Sequence, residues 1–110
     1  MLMLMRIKEP RRSIEYMDNR ISLYAAQYGK CAVTGKELWI DEIHCHHKIP
    51  LQKGGTDKYE NLAIIHRNVH LLIHATKPQT ITAYLNLIQP DQKALKRING
   101  LRLLAGNTSL

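Results

Sequence analysis

The chain has 110 residues, 45% of them hydrophobic, with 16 Lys and Arg against 9 Asp and Glu, a formal charge of +7 and a pI near 9.7. A chain of this length buries roughly two thirds of its unfolded surface, which allows one core and excludes multi-lobed enzymes; no solenoid-like internal period is present. The charge makes a polyanion the default partner, nucleic acid before an anionic membrane surface.

Residues 1–12 end in Lys8, Glu9, Pro10, Arg11 and Arg12 and read as a mobile basic arm. Ser13 is placed to cap a helix whose apolar stripe is Ile14, Met17, Ile21, Tyr24 and Tyr28, with Gly29 to end it and Tyr16, Tyr24 and Tyr28 expected in the core. After a turn at Thr34 and Gly35, Ile43 to Ile49 reads as a short strand stopped by Pro50. Gln52 to Glu60, with Gly54 and Gly55, is loop by composition, and Leu62 to Ile65 has strand character. Two short strands joined by a long polar segment predict a hairpin with a functional loop. Val69, Leu72 and Ile73 have helical spacing from Arg67 to Ala75, and Thr80–Ile88 and Asp91–Leu104 fit two more helices, the last capped by Asp91 and weakened by Gly100.

Charge is uneven along this order. Residues 1–30 and 77–110 carry the surplus, while residues 31–76 hold five cations and five anions. The division is therefore a basic arm and helix (1–30), a neutral centre (31–76) and a basic helical extension (77–110), with the flanks expected to hold a nucleic-acid backbone. Cys31 and Cys45 are too few for a disulfide framework, and no apolar run has signal-peptide or membrane-spanning length. A soluble, reduced, cytoplasmic protein with no membrane partner is expected.

All six histidines, His44, His46, His47, His66, His70 and His74, lie within the neutral centre. His70 and His74, at i and i+4, project from one helix face and can share a metal ion. A solvated helix face is the competing reading, since a third ligand must come from elsewhere. His46 and His47 are adjacent, so one can serve as ligand and the other as general base. Adjacent strand residues point to opposite faces, so both reach one site only if the chain twists near Pro50.

The series Cys45-His46-His47-Lys48-Ile49-Pro50, Gly54-Gly55, Asn61-Leu62, His70 and His74 resembles the HNH endonuclease signature. The run Tyr28 to Gly35 and the C-terminal tail are similar to the DNA endonuclease domain of group II intron reverse transcriptase/maturases. The resemblance implies an α+β fold, a ββα-metal (His-Me finger) core with a preceding N-terminal helix and C-terminal helices. It implies one divalent ion (Mg, Mn, Zn or Ni) held by His46, His70 and His74, with His47 as general base and Asn61 orienting it through its loop. It also implies a DNA endonuclease that yields a 3′-hydroxyl and a 5′-phosphate. Imidazole, which titrates at about 6.5, suits deprotonation of water, and a cation suits the charge on the leaving oxygen.

DNA is the implied partner, with intron RNA or a reverse transcriptase chain as further ones; monomer and homodimer both stay open. A restriction-like or non-specific HNH nuclease and an inactive nucleic-acid-binding remnant are the alternatives. Lys48, Lys53, Lys58 and Arg67 are the candidate DNA contacts. His44, on the strand face of His46 by alternation, is a possible substitute ligand but is read as structural or DNA-facing, because the family spacing is satisfied without it. The two Cys-x-x-Cys knuckles common in such proteins are reduced to Cys31 and His66, facing Thr34 and Val69; a rebuilt zinc site with Cys45 or His44 competes with both cysteines being small buried hydrophobes.

Overall fold

A helix comes first in the computed structural model, which describes residues 13–110; the expected arm over 1–12 lies outside the described residues. The order is α1 (Ile14–Ala26), β1 (Ile43–His47), β2 (Leu62–His66), α2 (Arg67–His74), α3 (Pro78–Ile88) and α4 (Gln92–Leu104), with short 3-10 turns between. Among the described residues this is an α+β fold of four helices and one two-stranded antiparallel sheet, with Ile43 opposite His66 and His47 opposite Leu62. The hairpin followed at once by α2 is compatible with a ββα-metal core. No helix among the described residues is long and apolar enough to cross a membrane.

Local chemistry explains the helix ends. The Ser13 hydroxyl accepts from the Tyr16 amide at 2.9 Å, and the Asp91 carboxylate accepts from the Ala94 amide at 2.8 Å. Pro78 occupies the first turn of α3, where its missing N–H costs nothing. Gly100 lies inside α4 without breaking it, at ~1 kcal/mol relative to Ala. One apolar cluster gathers Leu23 from α1, Cys45 from β1, Ile64 and Ile65 from β2, Leu72 and Ile73 from α2, Ile88 from α3 and Ile98 from α4.

The buried face of α1 differs from the expected stripe. Tyr16 and Leu23 are buried and Met17 and Tyr24 pack at the margin, whereas Ile14 is 79% and Tyr28 85% exposed. Tyr28 lies beyond the helix with φ +55°, and Gly29 at φ +69° completes the turn. The inward side of α1 contains polar residues that bond to the rest of the fold, which apolar periodicity cannot register. The Gln27 side chain accepts from the Ile64 amide at 3.1 Å and donates to the Ile64 carbonyl at 2.9 Å, standing in for a third strand at the edge of β2. Asn19 donates to the Asp57 carbonyl at 2.9 Å.

The strand expected to reach Ile49 stops at His47, where the chain enters the Lys48–Asn61 loop. Gly54 takes φ +89°, and a Cβ on Gly55 would stand 1.8 Å from the Ile49 carbonyl oxygen, so the second glycine permits the close approach that shuts the loop.

A zinc site rebuilt on Cys31 and His66 is not assembled. His66 Nδ1 accepts from the Asn68 amide at 2.9 Å and Nε2 meets Glu42 at 3.0 Å, so both ring nitrogens are engaged. Cys31 Sγ accepts from the His66 amide at 3.4 Å, and both cysteines are buried. The Trp39 amide and then His66 hold the Glu42 carboxyl below its ordinary value.

The basic tail is also not simply a DNA-facing surface. Arg102 is 1% exposed and donates to the carbonyls of Leu72 (2.6 Å), Ala75 (2.9 Å) and Thr108 (2.6 Å). Asn107 donates to Ile73 and Ala75. Together they satisfy the carbonyls that the C-terminal end of α2 leaves open. Arg97 donates to the Val33 carbonyl at 3.0 Å. Arg102 is therefore withdrawn from any phosphate contact because its guanidinium caps the helix that carries His70 and His74.

Candidate metal centre and active site

Alternation along β1 turns His44 and His46 to one side, toward α2. One ligand atom from each of His44, His46 and His70 lies within 4.8 Å of the others. His46 Nδ1 and His70 Nδ1 are 3.3 Å apart, and the rings of His44 and His70 stack at 3.6 Å. The His74 ring is 4.7 Å from that of His70 and 5.7 Å from that of His46, at the open side of the cluster. The geometry thus joins His44, given a structural or DNA-facing role above, to His46 and His70, and leaves His74 next to this trio. That His44 shares the face of His46 was visible in strand alternation; that His70 would stack on it was not.

The donor set suits a divalent ion. Burial, followed by the neighbouring His70 and His74, pushes His46 down to about 3; burial, then the same two rings, takes His44 to about 4. Burial and then His74 take His70 to about 4, and burial and then Arg102 lower His74. These imidazoles are neutral at pH 7, the state in which they ligate. His46 Nε2 is buried and meets no hydrogen-bond partner among the described residues, an uncompensated cost. A cluster of neutral nitrogens with one orphaned atom fits a metal better than a packed core, and nitrogen donors favour borderline ions such as Zn or Ni.

His47, last in β1, faces the other way. Its ring lies parallel to that of Tyr16, 5.4 Å between centroids and 6° between planes, and its Nε2 is 2.8 Å from Asp57 Oδ1. Nevertheless it lines the same depression, about 270 Å³, as His44, His46, His70, His74, Pro50, Leu51 and Gln52. The turn at the strand end lets two adjacent residues of opposite orientation border one space. Asp57, in contact with His47, carried no motif or spacing that a reading of the sequence could use.

Among the described residues Asn61 has no hydrogen bond to His47. Buried beneath the loop, its Oδ1 accepts from the Ile49 amide at 2.9 Å, and its Nδ2 donates to the carbonyls of Ile49 (3.0 Å) and Thr56 (2.8 Å). It ties both ends of the loop that follows His47. Lys53 and Lys58 are exposed on this loop and Arg67 is exposed at the start of α2, while the half-buried Lys48 donates to the Glu60 carbonyl at 3.0 Å.

Residues 30–76 match the family model described as HNH endonuclease. The chain has no match among curated proteins or solved structures. The matched stretch contains the hairpin, the loop and α2, and thus every histidine of the cluster. Over this stretch the chain is similar to nucleases, which are hydrolases that act on DNA with a divalent metal, and the histidine cluster could hold such an ion.

Proposed function

We propose that the protein is a metal-dependent DNA endonuclease that hydrolyses a phosphodiester to a 3′-hydroxyl and a 5′-phosphate, of the group II intron-associated type. The observation that carries the reading is the meeting, in one depression, of a neutral histidine cluster and a separately oriented histidine, His47. The likeness of residues 28–35 to intron-encoded endonuclease domains supports the finer assignment.

His46 and His70, with His44 or His74 beside them, would hold the ion. When bound, it supplies positive charge to the phosphate and to the departing 3′ oxygen. His47 takes the proton of the attacking water as the water oxygen bonds to phosphorus and the bond from phosphorus to the 3′ oxygen breaks, and the departing 3′ oxygen takes a proton from solvent water to become the hydroxyl. Lys53 and Lys58, exposed on the loop that follows His47, would hold flanking phosphates. Asn61 keeps the loop closed beneath them.

The test is plasmid nicking with Mg, Mn, Ni or Zn, with EDTA, and with His47→Ala. Metal-dependent nicking that EDTA abolishes and His47→Ala reduces by ~10²-fold or more is expected. Intact supercoiled plasmid under all four metals refutes the nuclease. Tight DNA binding with neither cleavage nor metal dependence establishes the binding remnant instead.

A further inference from the structure

Asp57 lies ten residues beyond His47, at the far end of the loop, and its carboxylate is held on two sides. Oδ1 meets His47 Nε2 at 2.8 Å, and Oδ2 accepts from the Ser13 hydroxyl at 2.7 Å. Its carbonyl accepts from Asn19 at 2.9 Å, and the carbonyl of the preceding residue, Thr56, accepts from Asn61 at 2.8 Å. The His47 ring is meanwhile stacked on Tyr16. Ser13, Tyr16 and Asn19 come from the cap and first two turns of α1, outside the stretch that matches the nuclease family. The His47 and Asp57 side chains are 14% and 21% exposed, which distinguishes this pair from a solvated surface contact.

An ionised carboxylate accepts hydrogen bonds and donates none. The 2.8 Å contact therefore places the imidazole proton on Nε2 and leaves the lone pair on Nδ1. A histidine that must accept a proton from water needs that tautomer held before the substrate arrives, and a fixed carboxylate does so where a neutral amide would permit the opposite one.

We propose that Asp57 is the positioning residue of His47. It sets the Nε2–H tautomer and the ring direction, and α1, through Ser13, Tyr16 and Asn19, is the scaffold that makes this possible. The role in catalysis rests on the nuclease reading; the role in setting the tautomer does not. On this assignment the N-terminal helix belongs to the catalytic apparatus, and Asn61 acts on His47 through Thr56 and Asp57.

The experiment uses the full chain with 15N-labelled histidine, as wild type, Asp57→Asn and Asp57→Ala. Three quantities are measured: the His47 tautomer by long-range 15N–1H correlation, metal binding by calorimetry, and plasmid nicking. The wild type should show Nε2–H. Asp57→Asn, whose amide can donate to Nε2, should move the proton to Nδ1, and Asp57→Ala should give a mixture. Both variants should lose kcat by ~100-fold while KM and metal affinity stay within about twofold, a split that general loosening of the fold would not produce. A His47 that keeps the Nε2–H form in both variants, or variants that nick as fast as wild type, overturns the assignment. A wild type that nicks nothing while Asp57→Asn still moves the proton overturns the nuclease reading and leaves the pairing standing.

Discussion

Replacing Arg102 by Met should destabilise the fold more than any surface charge change. The substitution keeps the apolar stem and removes the guanidinium, hence the three hydrogen bonds to Leu72, Ala75 and Thr108, from a position 1% exposed. Hydrogen bonds from a charged donor each contribute ~1.5–3 kcal/mol net, and two of the three carbonyls left behind, those of Leu72 and Ala75, are buried at the end of α2. Asn107 still serves Ile73 and Ala75, so the lower figure per bond applies, for a loss of about 4 kcal/mol. That is a large part of the ~5–15 kcal/mol available to a domain. Urea denaturation in EDTA should show the midpoint falling by roughly 2 M with unchanged slope. Arg102→Lys, whose single ammonium can reach only part of this set, should fall between. A loss below ~1 kcal/mol for Arg102→Met would mean that water or Asn107 caps α2 without it, and the capping argument would be wrong.

Single replacements of His46 or His70 by Ala should weaken metal binding by more than the ~10–100-fold that loss of an outer-shell partner costs; unaltered calorimetric titrations would remove them from the site. Asn61→Ala leaves the Ile49 and Thr56 backbone groups without their partner and should cost ~2–3 kcal/mol in denaturant unfolding, with a stability equal to wild type counting against its loop-tying role. Gly55→Ala forces a methyl against the Ile49 carbonyl and should cost ~1–3 kcal/mol, read as a lowered Tm. Acid should destabilise the metal-free protein. His46, His44 and His70 are held down at about 3, 4 and 4 in the fold and titrate at about 6.5 when unfolded. The unfolded chain then binds more protons below pH 6.5, and stability falls from there toward pH 4 and below. A flat stability profile between pH 7 and 4 in EDTA would contradict the buried neutral cluster.

Local signals placed the elements well. Ser13 and Asp91 cap the helices expected of them, Pro50 and the paired glycines mark the loop, and all strands and helices end within about two residues of their expected limits. These features depend on neighbours in the chain, and the same holds for the pair His70 and His74. The face of α1 was misread because hydrophobic spacing assumes an apolar partner, whereas Asn19 and Gln27 bond to a loop and to a strand edge. The basic tail was misread in part because charge counting cannot distinguish a guanidinium in solvent from one buried against helix carbonyls.

By itself the sequence determined the hairpin-and-helix order and the concentration of histidines between residues 44 and 74, because spacing and turn chemistry are local. Tertiary structure alone decided that His44 stacks on His70, that His66 is locked to Glu42 and the Asn68 amide, and that Asp57 reaches His47 with α1 behind it. Each of these joins residues through loop closure and helix packing, and their partners share no period or motif along the chain. The physical reason is that a side chain's proton, lone pair or charge acquires its role from what surrounds it in space.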